Sequence, residues 1–380
     1  MRFRPYDDPR SRKAVEMLRG AKATLEAATG ALRVNTNRQA RRQIALKDAE
    51  IAALRRELAR LRGDEHLLRS AIGRVPVFFV VGNQKSGTTW LMRMLDAHPE
   101  ILCRGEGRFF GASWRQKGLV QKDVLRPASS LYNAILDAEY LRLWIERSVW
   151  SRNDDAGEHL TNLTRMVIDY FLEGGLLKSG KKVVGDKSPL LTPETIQEIS
   201  VIYPEARIVH IIRDGRDGAL SAAHHSRNFG RMNRGERTER DGSIFTETQI
   251  RKLAADWAAR VGRTVNDGPR LFGDRYVEVR YEDLLTHPEE EMERLLRFLR
   301  VASDERSVRR CVGSATFEKL SKGRTRGSED PSSFFRKGVA GDWRNAFTDR
   351  DRRVFEREAG DLLTKLGYRG EDGSQVTPVY

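Results

Sequence analysis

The sequence predicts an α/β protein. A central parallel sheet is flanked by helices, a glycine-bounded phosphate-binding loop follows the first strand, and a helical coiled-coil extension precedes the domain. Three observations predict this. Apolar, β-branched runs give way repeatedly to a polar loop and then to a helix-period segment, the pattern of βα units with right-handed crossovers. One such loop, Gly82-Asn83-Gln84-Lys85-Ser86-Gly87, is bounded by glycines and opens a helix. Residues 37–69 carry a seven-residue apolar repeat. At 380 residues the chain has room for one large domain, expected at 73–380, and an extension at 1–72.

Composition sets the outer bounds. Hydrophobic content of 39% and charged content of 32% suit a soluble chain. No apolar stretch approaches the ~20 residues of a membrane span, and no apolar signal region follows the basic start MRFRPYDDPRSRK. The two cysteines, Cys103 and Cys311, stand alone and form neither a disulfide framework nor a metal cluster. A cytoplasmic protein is therefore expected. The formal charge of +14 is uneven, because residues 1–74 carry 18 Lys and Arg against 9 Asp and Glu. That extension reads as a solvated basic helix, with peripheral contact to an anionic membrane as the other reading; nucleic acid is not an expected partner.

The extension comes first in the chain. Ile44, Ile51 and Leu58 fall on one heptad position and Leu54, Leu61 and Leu68 on the other, with Arg, Glu and Gln around them. This predicts a coiled-coil seam over 37–69 and a homo-oligomer built through it. Gly73 and Pro76 mark entry into the domain.

The run from Val75 to Val81 has the composition of a buried parallel strand. Behind the loop, Thr88 and Thr89 open a helix with Trp90, Leu91, Met94 and Leu95 at helical spacing. Glycines allow close backbone approach, amides at a helix start lack partners, and the helix dipole favours an anion there. The Gly-x-x-x-x-Gly spacing is P-loop-like, but the lysine stands inside the loop at Lys85, where a nucleotide triphosphatase has Lys after the second glycine.

Asp96-Ala97-His98-Pro99 ends that helix. Ile101-Leu102-Cys103 reads as a strand, with Glu106 just beyond it among two glycines and two arginines. Residues 111–180 are mostly helical. Trp114, Leu131, Leu141, Trp144 and Val149 are expected in core or pocket wall, and Met166, Val167, Tyr170 and Phe171 in a helix core. Lys182–Pro189 resumes the strand-then-loop pattern, with Lys187 where the strand should end. Thr192–Tyr203 reads as a helix with Pro193 at its start. Arg207–Ile212 is another buried strand, ending in Arg213-Asp214-Gly215-Arg216-Asp217-Gly218 and a helix carrying Ser221.

Ligands of parallel sheets bind beyond the carboxyl ends of the strands. Lys85, Glu106, Lys187 and Arg213 follow apolar strands and are expected to converge on one sheet edge. His224-His225 has no Cys or carboxylate at ligand spacing, so no metal is expected. Residues 226–247 read as a polar surface loop or lid, and Gln249–Val265 as a helix. Tyr276–Arg280 is a further strand and Pro288–Leu299 a helix; Ser321–Pro331 reads as a flexible loop leading to Arg336-Lys337-Gly338, a compact anion site.

At this point the residues carry a resemblance. Over residues 75–366 the chain resembles sulfotransferases that use 3'-phosphoadenosine 5'-phosphosulfate (PAPS). Gln84-Lys85-Ser86-Gly87-Thr88-Thr89-Trp90 resembles the loop that holds the 5'-phosphosulfate. Arg213 with Ser221 resembles the pair on the 3'-phosphate, and Arg336-Lys337-Gly338 with Gly341-Asp342-Trp343 resembles the C-terminal 3'-phosphate motif. Leu95–Pro99, Arg104-Gly105-Glu106 and Arg213–Arg216 resemble the tyrosylprotein and carbohydrate branch, whereas the Arg-Lys-Gly ending is closer to the cytosolic small-molecule enzymes. The cytosolic Lys-Thr-His motif is absent, since Ser188 and Pro189 follow Lys187.

The resemblance implies in-line sulfuryl transfer to a hydroxyl, with Glu106 as general base, Lys85 on the leaving 5'-phosphate and Lys187 on the transferring group. It implies Trp90 stacked on adenine, Phe317 as its partner, and no metal. His98 is the next base to examine should Glu106 not serve. A glycan or other polyanionic acceptor is favoured by the basic extension and the 226–247 segment. Two alternatives stand beside this. One is a P-loop kinase or nucleotide triphosphatase with Asp186 as its magnesium ligand; the other is an inactive sulfotransferase-like scaffold assembled by the coiled coil.

Overall fold

Five strands form one parallel sheet in the order β2-β3-β1-β4-β5. The computed structural model describes residues 76–111, 138–151, 154–228, 242–330 and 333–369, with a few helical positions between 46 and 53. Most of the heptad segment 37–69 thus lies outside the described residues. Of its apolar positions Ile51 is described, helical and buried. The chain divides into two compact units. Residues 77–107, 175–196 and 206–380 contain the sheet; the other unit comprises the described parts of 1–76, 108–174 and 197–205.

In the sheet unit, β1 (Val77–Gly82) is central, paired to β3 (Val183–Pro189) on one side and β4 (Arg207–Ile212) on the other. β2 (Ile101–Gly105) and β5 (Tyr276–Arg280) are the edges. Burial on both faces explains the uninterrupted apolar runs. Side chains alternate between the faces. Phe78, Val80, Val209 and Ile211 join one core with Leu91, Met94 and Leu95 of α1 (Thr88–Asp96). Ile212 joins a second core with Trp257, Trp343 and Phe355.

That second core gathers α5 (Gly215–Asn228), α6 (Glu247–Phe272), α11 (Trp343–Ala346) and α12 (Asp349–Lys365). The first core adds α7 (Tyr281–Thr286), α8 (Pro288–Phe298) and α9 (Glu305–Ser314). The short α10 (Phe317–Leu320) follows Thr316, whose side chain caps it. The sheet is therefore doubly wound, with its switch of direction beside β1, where such folds place ligands.

The other unit carries α2 (Glu139–Arg147), most of α3 (Ala156–Ser179) and the end of α4 (Thr195–Ile202). Along α3, Leu160, Thr164, Ile168 and Leu172 recur every four residues and are buried. Arg165 bonds Asp169 at 2.7 Å and the Ile202 carbonyl at 2.9 Å, and Tyr203 donates to Asp169 at 2.7 Å.

Several expectations need correction. Met166, Val167, Tyr170 and Phe171 are exposed, because the four-residue stripe just described takes the inner face of α3 and leaves them opposite. Trp144 and Val149 are exposed too, and Ile145 is the buried residue of α2; Trp114 and Leu131 lie outside the described residues. α4 starts at Thr195, so Pro193 and Glu194 sit in a preceding turn whose Thr192 N–H donates to the Thr195 hydroxyl at 3.4 Å. α6 continues past Val265 to Phe272 and takes Pro269 into its last turn.

Lys187 does not follow a strand. It lies inside β3, because β1 and β2 both supply ladder partners that far. The expected flexible loop at 321–331 is laced to the turn after it. Gly327 N–H donates to the Lys337 carbonyl at 2.9 Å, and Arg324 donates to the carbonyls of Ser328, Phe335 and Arg336. Of the expected lid 226–247, residues 226–228 extend α5 and 229–241 lie outside the described residues.

Candidate active site

The glycine loop turns at the end of β1 as its sequence requires. Gly87 has φ 97° and caps α1; a Cβ there would lie 2.6 Å from the Tyr281 ring. Lys85 also takes a left-handed backbone, φ 69°, which costs a side-chain-bearing residue about 1–2 kcal/mol. Ser86 N–H donates to the Asn83 carbonyl at 3.1 Å. The Ser86 hydroxyl is buried and has no hydrogen-bond partner among the described residues. Gln84 is exposed at the tip, Thr88 is buried at the first turn and Thr89 is half-buried.

Lys85 has no carboxylate partner among the described residues, and its ammonium lies 4.5 Å from the centre of the Phe334 ring. Burial, and then the neighbouring Arg213 charge, pull its pKa down to about 8. Arg213, just past β4, donates to the Lys85 carbonyl at 3.2 Å and to the Val339 carbonyl at 3.0 Å. Its guanidinium stacks 4.2 Å over Tyr281 and stands 3.9 Å from Asp217. Asp217 accepts from Gly341 N–H at 2.6 Å and Trp343 N–H at 3.0 Å. Arg213 and Asp217 together join the glycine loop, the β4 end and the 336–343 turn. Ser221 lies half-buried on α5, two turns beyond Arg213.

In the 336–338 turn, Arg336 bonds Asp342 at 2.5 Å and Glu329 at 2.7 Å, and Lys337 bonds Asp342 at 2.7 Å. Burial pushes the Asp342 carboxyl up, but the hydrogen bonds from Lys337 and Arg336 outweigh it and leave it below its usual range. Gly338 has φ 70° and a Cβ there would meet the Phe317 ring at 2.3 Å, so this turn has to be glycine. Trp90 donates through its indole to the Ala315 carbonyl at 2.8 Å and meets Tyr281 edge-on at 5.5 Å. Trp90, half-buried, and Phe317, buried, are thus held beside this half of the site.

The other half forms at the ends of β2 and β3. Lys187 is buried and donates to Glu106 at 2.5 Å; Glu106 keeps 38% of its side chain exposed. Glu106 sits at φ 60°, with its N–H on the Lys187 carbonyl at 3.0 Å. A Cβ at Gly105 would lie 2.9 Å from Met92 Sδ and 3.0 Å from Lys187 Cε, so glycine there makes room for both side chains. Asp186 is buried, accepting from Gly107 N–H at 3.0 Å and from the Ser188 hydroxyl at 2.6 Å. Burial raises its carboxyl to about 6. Each of its oxygens accepts one hydrogen bond.

His98 is not placed as a base. Its Nδ1 accepts from Glu100 N–H at 3.1 Å, so Nε2 carries the proton and donates to the Ala302 carbonyl at 2.8 Å. Burial holds its pKa below the ordinary histidine value. Among the described residues no group of three or more His, Cys, Asp or Glu could hold a metal.

Sequence reasoning missed Asp217, Tyr281 and Phe334, and it named Asp186 only as the magnesium ligand of the triphosphatase alternative. The strand-end rule that found Arg213 also finds Tyr281, the first residue after β5. Asp217, four residues after Arg213 in the same Gly-rich segment, is found by asking what holds an arginine in a buried turn.

Fold and site together define an α/β protein with a glycine-bounded loop after its central strand, where Lys85 has no carboxylate partner among the described residues. Residues 76–305 match the family model described as the sulfotransferase family. The chain belongs to the sulfotransferase family. It is 23% identical to protein-tyrosine sulfotransferase A of Caenorhabditis elegans, over 66% of this chain and 55% of that one. It is 27% identical to the Drosophila melanogaster protein-tyrosine sulfotransferase, over 63% and 41%. The chain thus spans about half the length of the curated relatives it matches. Mouse sulfotransferase SULT7A1 complexed with PAP superposes with a TM-score of 0.46 at 19% identity, over 80% of this chain and 88% of that chain.

The relatives correct the expected location. The relatives matched above are named protein-tyrosine sulfotransferases, and the cytoplasmic expectation does not stand. Among the described residues no helix is long and apolar enough to cross a membrane.

Proposed function

We propose that this protein transfers a sulfuryl group from PAPS to an acceptor hydroxyl by in-line displacement, with Glu106 as general base. The observation that carries the reading is the pair Lys85 and Arg213. Two cations stand at neighbouring strand ends, and Lys85 has no carboxylate partner among the described residues. Such a pair is stable when an anion completes it. The unpartnered Ser86 hydroxyl beside them fits the same ligand.

When bound, the donor supplies an activated sulfuryl group at its 5' end and an anchoring 3'-phosphate. Gln84, Lys85, Ser86, Gly87, Thr88 and Thr89 would hold the first, through loop amides, the helix start and the Lys85 charge. Arg213, Ser221, Arg336, Lys337 and Gly338 would hold the second, where a phosphate competes with Asp342 for Arg336 and Lys337. Trp90 and Phe317 would flank adenine. Glu106, exposed and fixed by Lys187, takes the acceptor proton. Lys187 lies beside that carboxylate, where it would face the negative charge that builds on the transferring group.

For the acceptor, the names of the relatives favour a peptide tyrosine. The glycan preference rested on the basic extension and the 226–247 segment, most of which lies outside the described residues. Labelled PAPS offered with tyrosine peptides and with oligosaccharides tests the reading. Label on the phenol supports it and label on sugar redirects the acceptor. Bound PAP with no transfer to either class leaves the inactive scaffold, and magnesium-dependent loss of a nucleotide γ-phosphate would establish the triphosphatase.

A further inference from the structure

The turn that carries Glu106 is held in an unfavourable shape, and the structure shows what holds it. Glu106 and Arg108 both have left-handed backbones, with φ of 60° and 55°. Neither is glycine or asparagine, so the chain would relax elsewhere if released. Three hydrogen bonds oppose that. Glu106 N–H reaches the Lys187 carbonyl, Lys187 Nζ reaches the Glu106 carboxylate, and Gly107 N–H reaches Asp186 Oδ1. The first two belong to the pair already assigned to the reaction. The third comes from a residue with no assigned role.

Asp186 is costly as a mere peg. It is 3% exposed and forms no ion pair among the described residues. Its two oxygens each take one hydrogen bond, from Gly107 N–H at 3.0 Å and from Ser188 Oγ at 2.6 Å. A buried carboxylate without a cation is retained against a large desolvation cost. It precedes Lys187 on β3, at the level of Arg104 on β2. It therefore grips the backbone immediately after the base, while the next residue of its own strand grips the base's carboxylate.

We infer that Asp186 is a positioning residue for the transfer reaction: by accepting from Gly107 N–H it locks the left-handed turn at 105–108 and so aims the Glu106 carboxylate, with Ser188 orienting Asp186 in turn. This rests on the reading of Glu106 as the base. Asp186 touches neither Glu106's carboxylate nor, by this assignment, the reacting atoms. A lapse in aim of about 1 Å is enough to slow a reaction on the order of a hundredfold without weakening a distant binding site.

The test compares D186A, which removes the acceptor, with D186N, which keeps an amide oxygen for Gly107 N–H, and with S188A. Turnover at saturating PAPS and acceptor is measured beside PAP affinity by calorimetry, and each variant is crystallised. D186A should lose about 10- to 100-fold in kcat with PAP affinity unchanged within twofold. D186N should recover most of that loss and S188A should fall between. In the crystals, D186A should show Glu106 out of the left-handed region and off Lys187, and D186N should keep both.

A D186A crystal with the turn unchanged overturns the inference whatever the activity. So does a kcat loss matched by an equal loss of PAP affinity, which marks general damage, or a D186N variant as slow as D186A. If D186A does not fold, the D186N and S188A crystals and rates decide alone: a displaced Glu106 in D186N, or an S188A rate equal to wild type, rejects the role. If wild type itself transfers no sulfuryl group, the functional reading fails. The crystallographic comparison still reports whether Asp186 holds the turn.

Discussion

The two halves of the cleft are built in different ways. At the β1/β4 end, Lys85 and Arg213 are positive groups placed by short polar segments, and Arg213 is steered by main-chain carbonyls and Tyr281. At the β2/β3 end, Glu106 and Lys187 neutralise one another in a turn whose backbone is strained. At the first end Lys85 has no carboxylate partner among the described residues; the second end holds the Lys187–Glu106 ion pair. Under the proposed function the first end would hold a polyanion and the second would supply the proton acceptor. The difference also says which measurements should separate them.

The sharpest separation is E106Q. Turnover should fall by about two to four decades, while PAP affinity by calorimetry stays within twofold, because no donor contact is touched. Turnover within tenfold of wild type would remove Glu106 as base. The converse variant is R213A. PAP binding should weaken by about 2 to 3 kcal/mol, roughly 30- to 150-fold. Unchanged affinity would detach Arg213 from the 3'-phosphate.

The third effect is one of pH. Burial and Arg213 hold Lys85 near pKa 8 in the free protein, and a bound anion raises that value. Binding is then full below pH 8 and requires proton uptake above it, so affinity falls as pH rises. From pH 7 to pH 9 PAP affinity should drop about tenfold, and K85R, whose guanidinium stays charged, should flatten the slope. A flat wild-type profile would place another cation at the ligand.

Much of this was legible in the chain itself. Strand, polar loop and helix recur with enough regularity to place Lys85, Glu106 and Arg213 at strand ends, because a doubly covered parallel sheet demands apolar runs of this kind. The loop from Gly82 to Thr89 is read directly, since its glycines answer to close backbone approach. Composition does not reveal that β3 runs on through Lys187, because ladder partners from two neighbouring strands decide its length. Nor does it choose between two apolar stripes on α3. Met166, Val167, Tyr170 and Phe171 are as hydrophobic as the residues that win the inner face. Asp186 and Asp217 act on main-chain N–H groups more than 75 residues away in the sequence, and no local spacing records that.

Tyr281 makes three contacts at once. One ring lies against the Gly87 position, under the Arg213 guanidinium and edge-on to Trp90. A ligand seated on Arg213, as proposed, would therefore bear on a ring that also lies against the glycine loop. In a double-mutant cycle Y281L and R213A should be non-additive for PAP by about 1 kcal/mol; strict additivity would make the ring a passive filler. Two small molecules that each mimic one end, inorganic sulfate and adenosine 3'-phosphate, should accordingly assist each other's entry, as expected if the ring couples the two ends.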